Sequence, residues 1–279
     1  MTSLNNNILT SEKLAEKVVA EDAMHLIRLI NDRIAEFGPN CDLNDIDVSH
    51  ITNMCSLFQG VEFNGDISKW DVSNVENMSW MFSGSGFNGD ISNWDVSKVK
   101  TMDGMFSESE FNGDISGWDV SNVKSMHSMF SESKFNGDIS NWDVSGVTDM
   151  YCMFSESKFN GDISNWDVSS VKDMCRMFYD SKFEGDISKW NVSNVEDMEY
   201  MFAYSIFNGD ISNWDVSSVK DMGYMFYGSN FKGDISNWNP ASAWRTYGMF
   251  ADSFLSPLRA ESLAGIRNEL ISLFKCHLQ

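Results

Sequence analysis

Histidine and cysteine, the residues that most often carry chemistry in proteins, are few and scattered in this sequence. The four histidines are His25, His50, His127 and His277, and the five cysteines are Cys41, Cys55, Cys152, Cys175 and Cys276. No two histidines have the spacing of metal ligands or of a catalytic triad, and no Cys-x-x-Cys pair occurs. A bridge between Cys152 and Cys175 is conceivable, but reduced thiols fit an odd number of cysteines better. We therefore predict no catalytic residues, no metal ion and no cofactor.

Aspartate, in contrast, recurs with a fixed period of 24 residues. One row comprises Asp66, Asp90, Asp114, Asp138, Asp162, Asp186, Asp210 and Asp234, and a second comprises Asp71, Asp95, Asp119, Asp143, Asp167 and Asp215. On neighbouring units about 4.8 Å apart, such charges repel by about 1 kcal/mol in water and ~3–4 kcal/mol at an effective dielectric constant of 20. The sequence must therefore offset this repulsion.

Three interpretations of the aspartates compete. We favour carboxylates that accept N–H groups of their own turns, because Asn191 and Asn239 replace aspartate in the second row and keep the acceptor without its charge. Calcium between units is less favoured, since no unit supplies the six to eight clustered oxygens that calcium usually takes. The third interpretation is functional: the second row forms an acidic face that imitates the charge of a nucleic acid.

Tyrosine is concentrated towards the C-terminal half of the chain. With one tryptophan, these residues form the predicted partner-binding site: Tyr151, Tyr179, Tyr200, Tyr204, Tyr224, Tyr227, Trp244 and Tyr247. Matching places in preceding units hold Gly104, Ser107, Ser128 and Ser131. Tyrosines that only braced neighbouring units would be useful in every unit, so their uneven distribution favours binding over bracing, because tyrosine and tryptophan dominate protein interfaces.

One motif positions all of these residues: Phe-Asn-Gly-Asp-Ile-Ser-x-Trp-Asp-Val-Ser-x-Val-x-x-Met-x-x-Met-Phe-x-x-Ser-x. Eight such units fill residues 63–254, and residues 39–62 form a degenerate first unit in the same register. An unbroken period of this length indicates a solenoid, in which each unit buries its apolar face against its neighbours. The repeated tryptophans and phenylalanines should form the core.

Within each unit, the spacing of Ile67, Trp70 and Val72 predicts a short parallel strand, and Val75, Met78, Met81 and Phe82 predict one face of a short helix. We therefore predict an α/β repeat, a leucine-rich-repeat-like right-handed solenoid of about nine coils. Helical caps should close both ends. The N-terminal cap is residues 1–38, with a helix over residues 10–37 that opens at Thr10 or Ser11 and stops at Gly38, and the C-terminal cap is residues 255–279.

The repeated motif resembles that of the BspA-like leucine-rich-repeat surface proteins, a family whose 24-residue repeat is found also in mycoplasma surface lipoproteins. The resemblance covers residues 39–254. It implies a leucine-rich-repeat-like solenoid used in adhesion or in binding host proteins. It transfers no catalytic residue.

Composition and charge restrict the possible partners. The chain is 42% hydrophobic and carries a net charge of −21, which disfavours direct nucleic-acid binding and favours a protein partner with a basic or mixed surface. No stretch is apolar enough to insert into a membrane, and no export signal is evident, so we expect the cytoplasm, or the cell surface by an unrecognised route. We predict a non-enzymatic protein-recognition scaffold. The alternative is an acidic inhibitor that occupies a basic binding site by charge mimicry.

Overall fold

The computed structural model describes residues 17–253, and its regular secondary structure lies at the N-terminal end of that range. Strand β1 (Val18–Val19) pairs in parallel with β2 (Ile46–Asp47), and helix α1 (Ala23–Phe37) lies between them in sequence. Asp22 caps α1 by accepting the His25 N–H at 2.7 Å. The helix ends at Gly38, where φ is 87° and the N–H donates to the Ile34 carbonyl.

The predicted helix over residues 10–37 is wrong for residues 17–22, which are not helical. The β-branched Val18 and Val19 pair with β2 instead, a conformation that such side chains favour. The predicted N-caps Thr10 and Ser11 lie outside the described residues. So does the predicted C-terminal capping helix at 255–279.

The rest of the described chain is a tandem repeat of 24-residue units, each hydrogen-bonded to the next. Parallel bridges link equivalent residues of successive units: Asn53, Asn77, Thr101, Ser125, Asp149, Asp173, Asp197, Asp221 and Arg245. We call these residues the bridge row. Beyond it, alternate N–H groups donate to carbonyls of the following unit, as from Trp80 to Asp103 at 2.6 Å and from Phe82 to Met105 at 2.9 Å. This pattern recurs from unit to unit.

The predicted strand and helix are wrong for the eight full units, because residues 63–253 contain neither element beyond the isolated bridges. In the degenerate first unit, β2 lies in the predicted strand, but no helix follows it in residues 48–62. The chain instead makes successive turns, in which the Trp70 N–H donates to the Ile67 carbonyl and the Met81 N–H to the Met78 carbonyl. Each such turn brings the chain back inward after three residues, the spacing that had indicated a helical face. A helix would also need the N–H groups that donate to the next unit.

The core confirms the prediction for the repeated aromatic residues. Phe82 packs on Phe87 at 4.3 Å between ring centroids and on Phe106 of the next unit at 5.7 Å, with the latter rings nearly parallel. The Trp94 indole N–H donates to the Ile67 carbonyl of the preceding unit at 3.3 Å. Each tryptophan at the repeated place, from Trp70 to Trp238, thereby packs in the core and satisfies its polar atom on the neighbouring unit.

Candidate partner-binding surface

Two residues in every repeat unit between residues 39 and 253 have positive φ, and they define one surface of the protein. In the unit that begins at Phe183 these are Tyr200, with φ 55°, and Tyr204, with φ 58°. Their N–H groups donate to the Gly223 and Tyr227 carbonyls of the next unit. A side chain in this left-handed conformation costs roughly 1–2 kcal/mol per residue, which the inter-unit hydrogen bonds help to offset.

We call the surface formed by these two positions and the residue before each of them the turn face. Six tyrosines make a continuous chain of ring contacts on it: Tyr179, Tyr200, Tyr204, Tyr224, Tyr227 and Tyr247. Tyr200 stacks on Tyr224 at 4.8 Å, whereas Tyr204 and Tyr227 meet edge to face at 5.1 Å. We refer to these six residues as the tyrosine surface.

The tyrosine surface is open to solvent. Tyr204 is 45% exposed and Tyr247 is 52% exposed, and the other four residues are half-buried. Burial raises the pKa of Tyr179, Tyr200 and Tyr247, while hydrogen bonds with Tyr204 and Asp252 raise the pKa of Tyr227. These hydroxyl groups therefore stay protonated near neutral pH. The surface combines apolar rings with hydrogen-bonding tips, the combination that favours protein interfaces.

The other two predicted site residues, Tyr151 and Trp244, make no ring contact with the tyrosine surface within residues 17–253. Tyr151 stacks on His127 at 4.6 Å, and His127 in turn meets the edge of Trp80 at 6.4 Å, so these rings form a separate group in preceding units. Trp244 is 61% exposed and lies against the Arg245 guanidinium at 4.4 Å. Within residues 17–253 it makes no ring contact with a tyrosine.

Sequence reasoning missed Arg176, which the structure places beside the tyrosine surface. Its guanidinium carbon is 4.9 Å from the Tyr200 ring centroid and 5.6 Å from that of Tyr179. Such cation–π contacts favour arginine over tyrosine faces. The sequence did contain one indication of this location. Arg176 occupies the same place in its unit as Tyr200 and Tyr224 do in theirs.

Sequence reasoning also missed the acidic part of the bridge row, Asp149, Asp173, Asp197 and Asp221. Burial, with the charges of Asp197 and Asp149, raises the pKa of Asp173 to about 6. Burial likewise raises the pKa of Asp197. Arg245 is the last residue of the bridge row and forms an ion pair with Asp221 at 3.1 Å. The signal was an aspartate at the same place in four successive units.

The two predicted aspartate rows confirm the hydrogen-bonding interpretation. Asp66 accepts the Ser68 N–H at 2.9 Å, and Asp95 accepts the Ser97 N–H and hydroxyl at 3.0 and 2.6 Å. Asn191 accepts the Ser193 N–H at 3.2 Å in the same way, whereas at Asn239 the Ala241 N–H donates to the backbone carbonyl. These bonds lower the pKa of Asp66 and Asp95. Among residues 17–253, no three histidine, cysteine or acidic residues are grouped to hold a metal ion.

These features define a tandem-repeat protein with a 24-residue unit and an aromatic surface on the turns. The chain belongs to the family described as "Mycoplasma protein of unknown function, DUF285", which matches residues 31–134, 108–205 and 157–260. No curated protein and no solved structure matches it. No helix in the described part of the chain has the length and hydropathy required to cross a membrane.

Proposed function

We propose that this protein is a non-enzymatic recognition scaffold that binds a protein partner through the tyrosine surface. One observation carries the proposal: six tyrosines on four successive units form a connected, solvent-accessible surface without being required by the repeat. Matching places in preceding units hold other residue types, such as Gly104 and Ser128 at the place of Tyr200 and Ser107 and Ser131 at the place of Tyr227. Large aromatic side chains with polar tips lose little rotamer entropy on binding, so a surface of this composition supports interface function.

The scaffold in this proposal is a leucine-rich-repeat-like right-handed solenoid of the BspA-like kind, capped at both ends and used in adhesion or in capture of a protein. The hydrogen bonds from each unit to the next support a solenoid, because such repeats bury their core by stacking. Membership of a mycoplasma repeat family is consistent with the surface-protein resemblance. The turns make this solenoid differ from the strand-and-helix repeat that the sequence had predicted.

The experiment is partner capture by the wild-type protein from lysate of the cell that produces it, followed by mass spectrometry. The variant Tyr204→Ala with Tyr247→Ala removes the two most exposed rings of the tyrosine surface and should weaken capture by about 2 kcal/mol or more. The control is the variant Ser107→Ala with Ser131→Ala. It changes the place that Tyr179 and Tyr227 occupy, but in two units outside the tyrosine surface. Equal capture by the tyrosine variant and the wild type would refute the proposal.

A second candidate function, charge mimicry of a nucleic acid, is supported by the exposed aspartate rows. Hydrogen bonds from serines lower the pKa of Asp90 and Asp143, which keeps their carboxylates ionised at neutral pH. An interface of this kind should weaken steeply as salt rises, because it depends on exposed charges. An interface anchored by tyrosines should depend on salt much less. A salt titration of the captured complex therefore separates the two candidates.

A further inference from the structure

An exposed row of carboxylates leads directly into the tyrosine surface. Glu108, Glu132, Glu156 and Asp180 occupy the second positive-φ place of four successive units, and the next residue in the same row is Tyr204. We call these four residues the acidic row. The whole row from Glu108 to Tyr204 has four steps of about 4.8 Å, or roughly 19 Å. This is the length of about six residues of extended chain.

The acidic row has little charge compensation within the protein. In the described part of the chain, no ion pair reaches Glu108, Glu132 or Glu156. Among the nearby lysines, Lys134 pairs with Glu110 at 3.3 Å and Lys182 with Asp180 at 3.6 Å, while Lys158 forms no ion pair within residues 17–253. Burial, together with Glu156 and Glu108, raises the pKa of Glu132. A cation opposite these residues would relieve their mutual repulsion.

The protein itself shows which cation the neighbouring rings accommodate. The Arg176 guanidinium contacts both Tyr179 and Tyr200, and that of Arg245 lies 4.4 Å from the Trp244 ring centroid. In both cases a planar guanidinium lies over an aromatic ring and also interacts with a carboxylate, that of Glu199 for Arg176 and that of Asp221 for Arg245. Arginine suits this combination better than lysine, because it stacks on rings and forms forked hydrogen bonds to carboxylates.

We propose that the acidic row and the tyrosine surface together bind an extended, arginine-containing segment of a partner protein. Guanidinium groups of that segment pair with Glu108, Glu132 and Glu156, and the segment continues onto Tyr204 and Tyr227. This inference rests on the proposed function, since it names the partner chemistry for the same surface. A second copy of the chain is a poor occupant, because its net charge of −21 opposes association with an acidic row.

The test measures binding of three fluorescent eight-residue peptides by anisotropy, at about 0.15 M ionic strength. They have the sequences (Arg-Ser)4, (Lys-Ser)4 and (Glu-Ser)4. The arginine peptide should bind at least about tenfold more tightly than the lysine peptide. Only arginine both stacks on aromatic rings and forms two parallel hydrogen bonds to one carboxylate. The glutamate peptide should not bind. Equal affinity for the arginine and lysine peptides would overturn the proposal, because the surface would then respond to charge alone.

Charge-matched variants test the location of the site. Glu132→Gln with Glu156→Gln should weaken binding of the arginine peptide about tenfold, whereas Asp114→Asn with Asp138→Asn removes the same charge from the same two units and should change it less than about twofold. Tyr204→Ala should also weaken it about tenfold. Equal losses in the two double variants would overturn the proposal, because a diffuse field would then explain binding.

These experiments distinguish a failure of the arginine proposal from a failure of the proposed function. If no peptide binds but Tyr204→Ala with Tyr247→Ala still weakens capture of the partner, the recognition surface stands and its preference for arginine is wrong. If the arginine peptide binds but the tyrosine variant captures the partner normally, the proposed function is wrong. Circular dichroism and a thermal melt confirm that each variant is folded before its binding is interpreted.

Discussion

The indole ring of Trp80 lies over Gly104, the residue at the equivalent place in the following unit, and a Cβ on Gly104 would overlap that ring. Tyr224 lies over Gly248 in the same way. An aromatic side chain at this positive-φ place therefore leans towards the next unit and restricts which residue can follow. Where Tyr224 follows Tyr200, the two rings stack instead of overlapping.

This relationship predicts the effect of adding one methyl group. Gly104→Ala should destabilise the protein by about 2–4 kcal/mol, because it adds steric overlap with Trp80 to the strain of a non-glycine residue at positive φ. Gly84→Ala is the control: its φ of 62° resembles the 57° of Gly104, but a Cβ there meets nothing closer than 3.9 Å. Urea denaturation measures both. Equal losses would show that the ring overlap contributes nothing.

The buried tryptophans should behave differently from the exposed one. Trp142 is 4% exposed and donates its indole N–H to the Ile115 carbonyl at 3.1 Å, so Trp142→Ala should cost about 3–5 kcal/mol through the cavity it leaves. Trp244→Ala, at a residue 61% exposed, should cost less than about 1 kcal/mol. Thermal or urea unfolding of the two variants checks the difference. A neutral Trp142→Ala would contradict the core described above.

Asp173 should make stability fall as pH rises. Its pKa is about 6 in the folded protein and 3.8 for the ordinary group, so the folded state holds the proton that the unfolded state has released between these values. The free energy of unfolding should therefore decrease from about pH 4 to pH 7. Asp173→Asn keeps the acceptor for the Cys175 N–H and should stabilise the protein at pH 8 by about 1–2 kcal/mol, allowing for solvent screening.

Asp90 provides the contrasting control for this pH dependence. Hydrogen bonds from Ser92 lower the pKa of Asp90, so its contribution to stability is present above the ordinary pKa and is lost as the solution becomes more acidic. Asp90→Asn should remove part of that acid sensitivity and should not stabilise the protein at pH 8. Stability curves from pH 3 to pH 8 distinguish the two variants. Identical curves would contradict the opposite pKa shifts.

The equivalence of the units predicts that a whole unit can be removed. Phe135 is 6.3 Å from Phe111 and 6.3 Å from Phe159, with all rings nearly parallel, so deletion of residues 135–158 should let Phe111 pack directly on Phe159. The shorter protein should fold and melt cooperatively. Deletion of residues 135–146 removes half a unit and should prevent folding. Circular dichroism decides, and an unfolded protein lacking 135–158 would contradict the stacking.

The sequence predicted the repeat and the buried residues because both follow from period and hydrophobicity. Phe63, Trp70 and Met78 recur every 24 residues, and all three are buried. Apolar spacing reports which side of the chain faces the core, but it does not report where the N–H groups donate. The turn from Met78 to Met81 therefore had the same sequence signature as a helical face.

The candidate surface was less predictable than the core. The tyrosines were visible as departures from the repeat, but their mutual contacts depend on two positive-φ places per unit that tyrosine, glutamate and arginine also occupy. Glycine is the usual signal for that conformation, and several units lack it there. Arg176 was not predicted for this reason, because neither its charge nor its neighbours in sequence indicate that it lies against Tyr200.

The direction of the hydrogen bonds between units also has a mechanical consequence. They join one unit to the next, so a force that pulls the ends of the repeat apart loads each inter-unit row in turn instead of shearing many rows together. Units should then detach one at a time at low force. Each detached unit of 24 residues releases roughly 80 Å of extended chain. A repeat that is pulled from its two ends should therefore lengthen in steps of one unit.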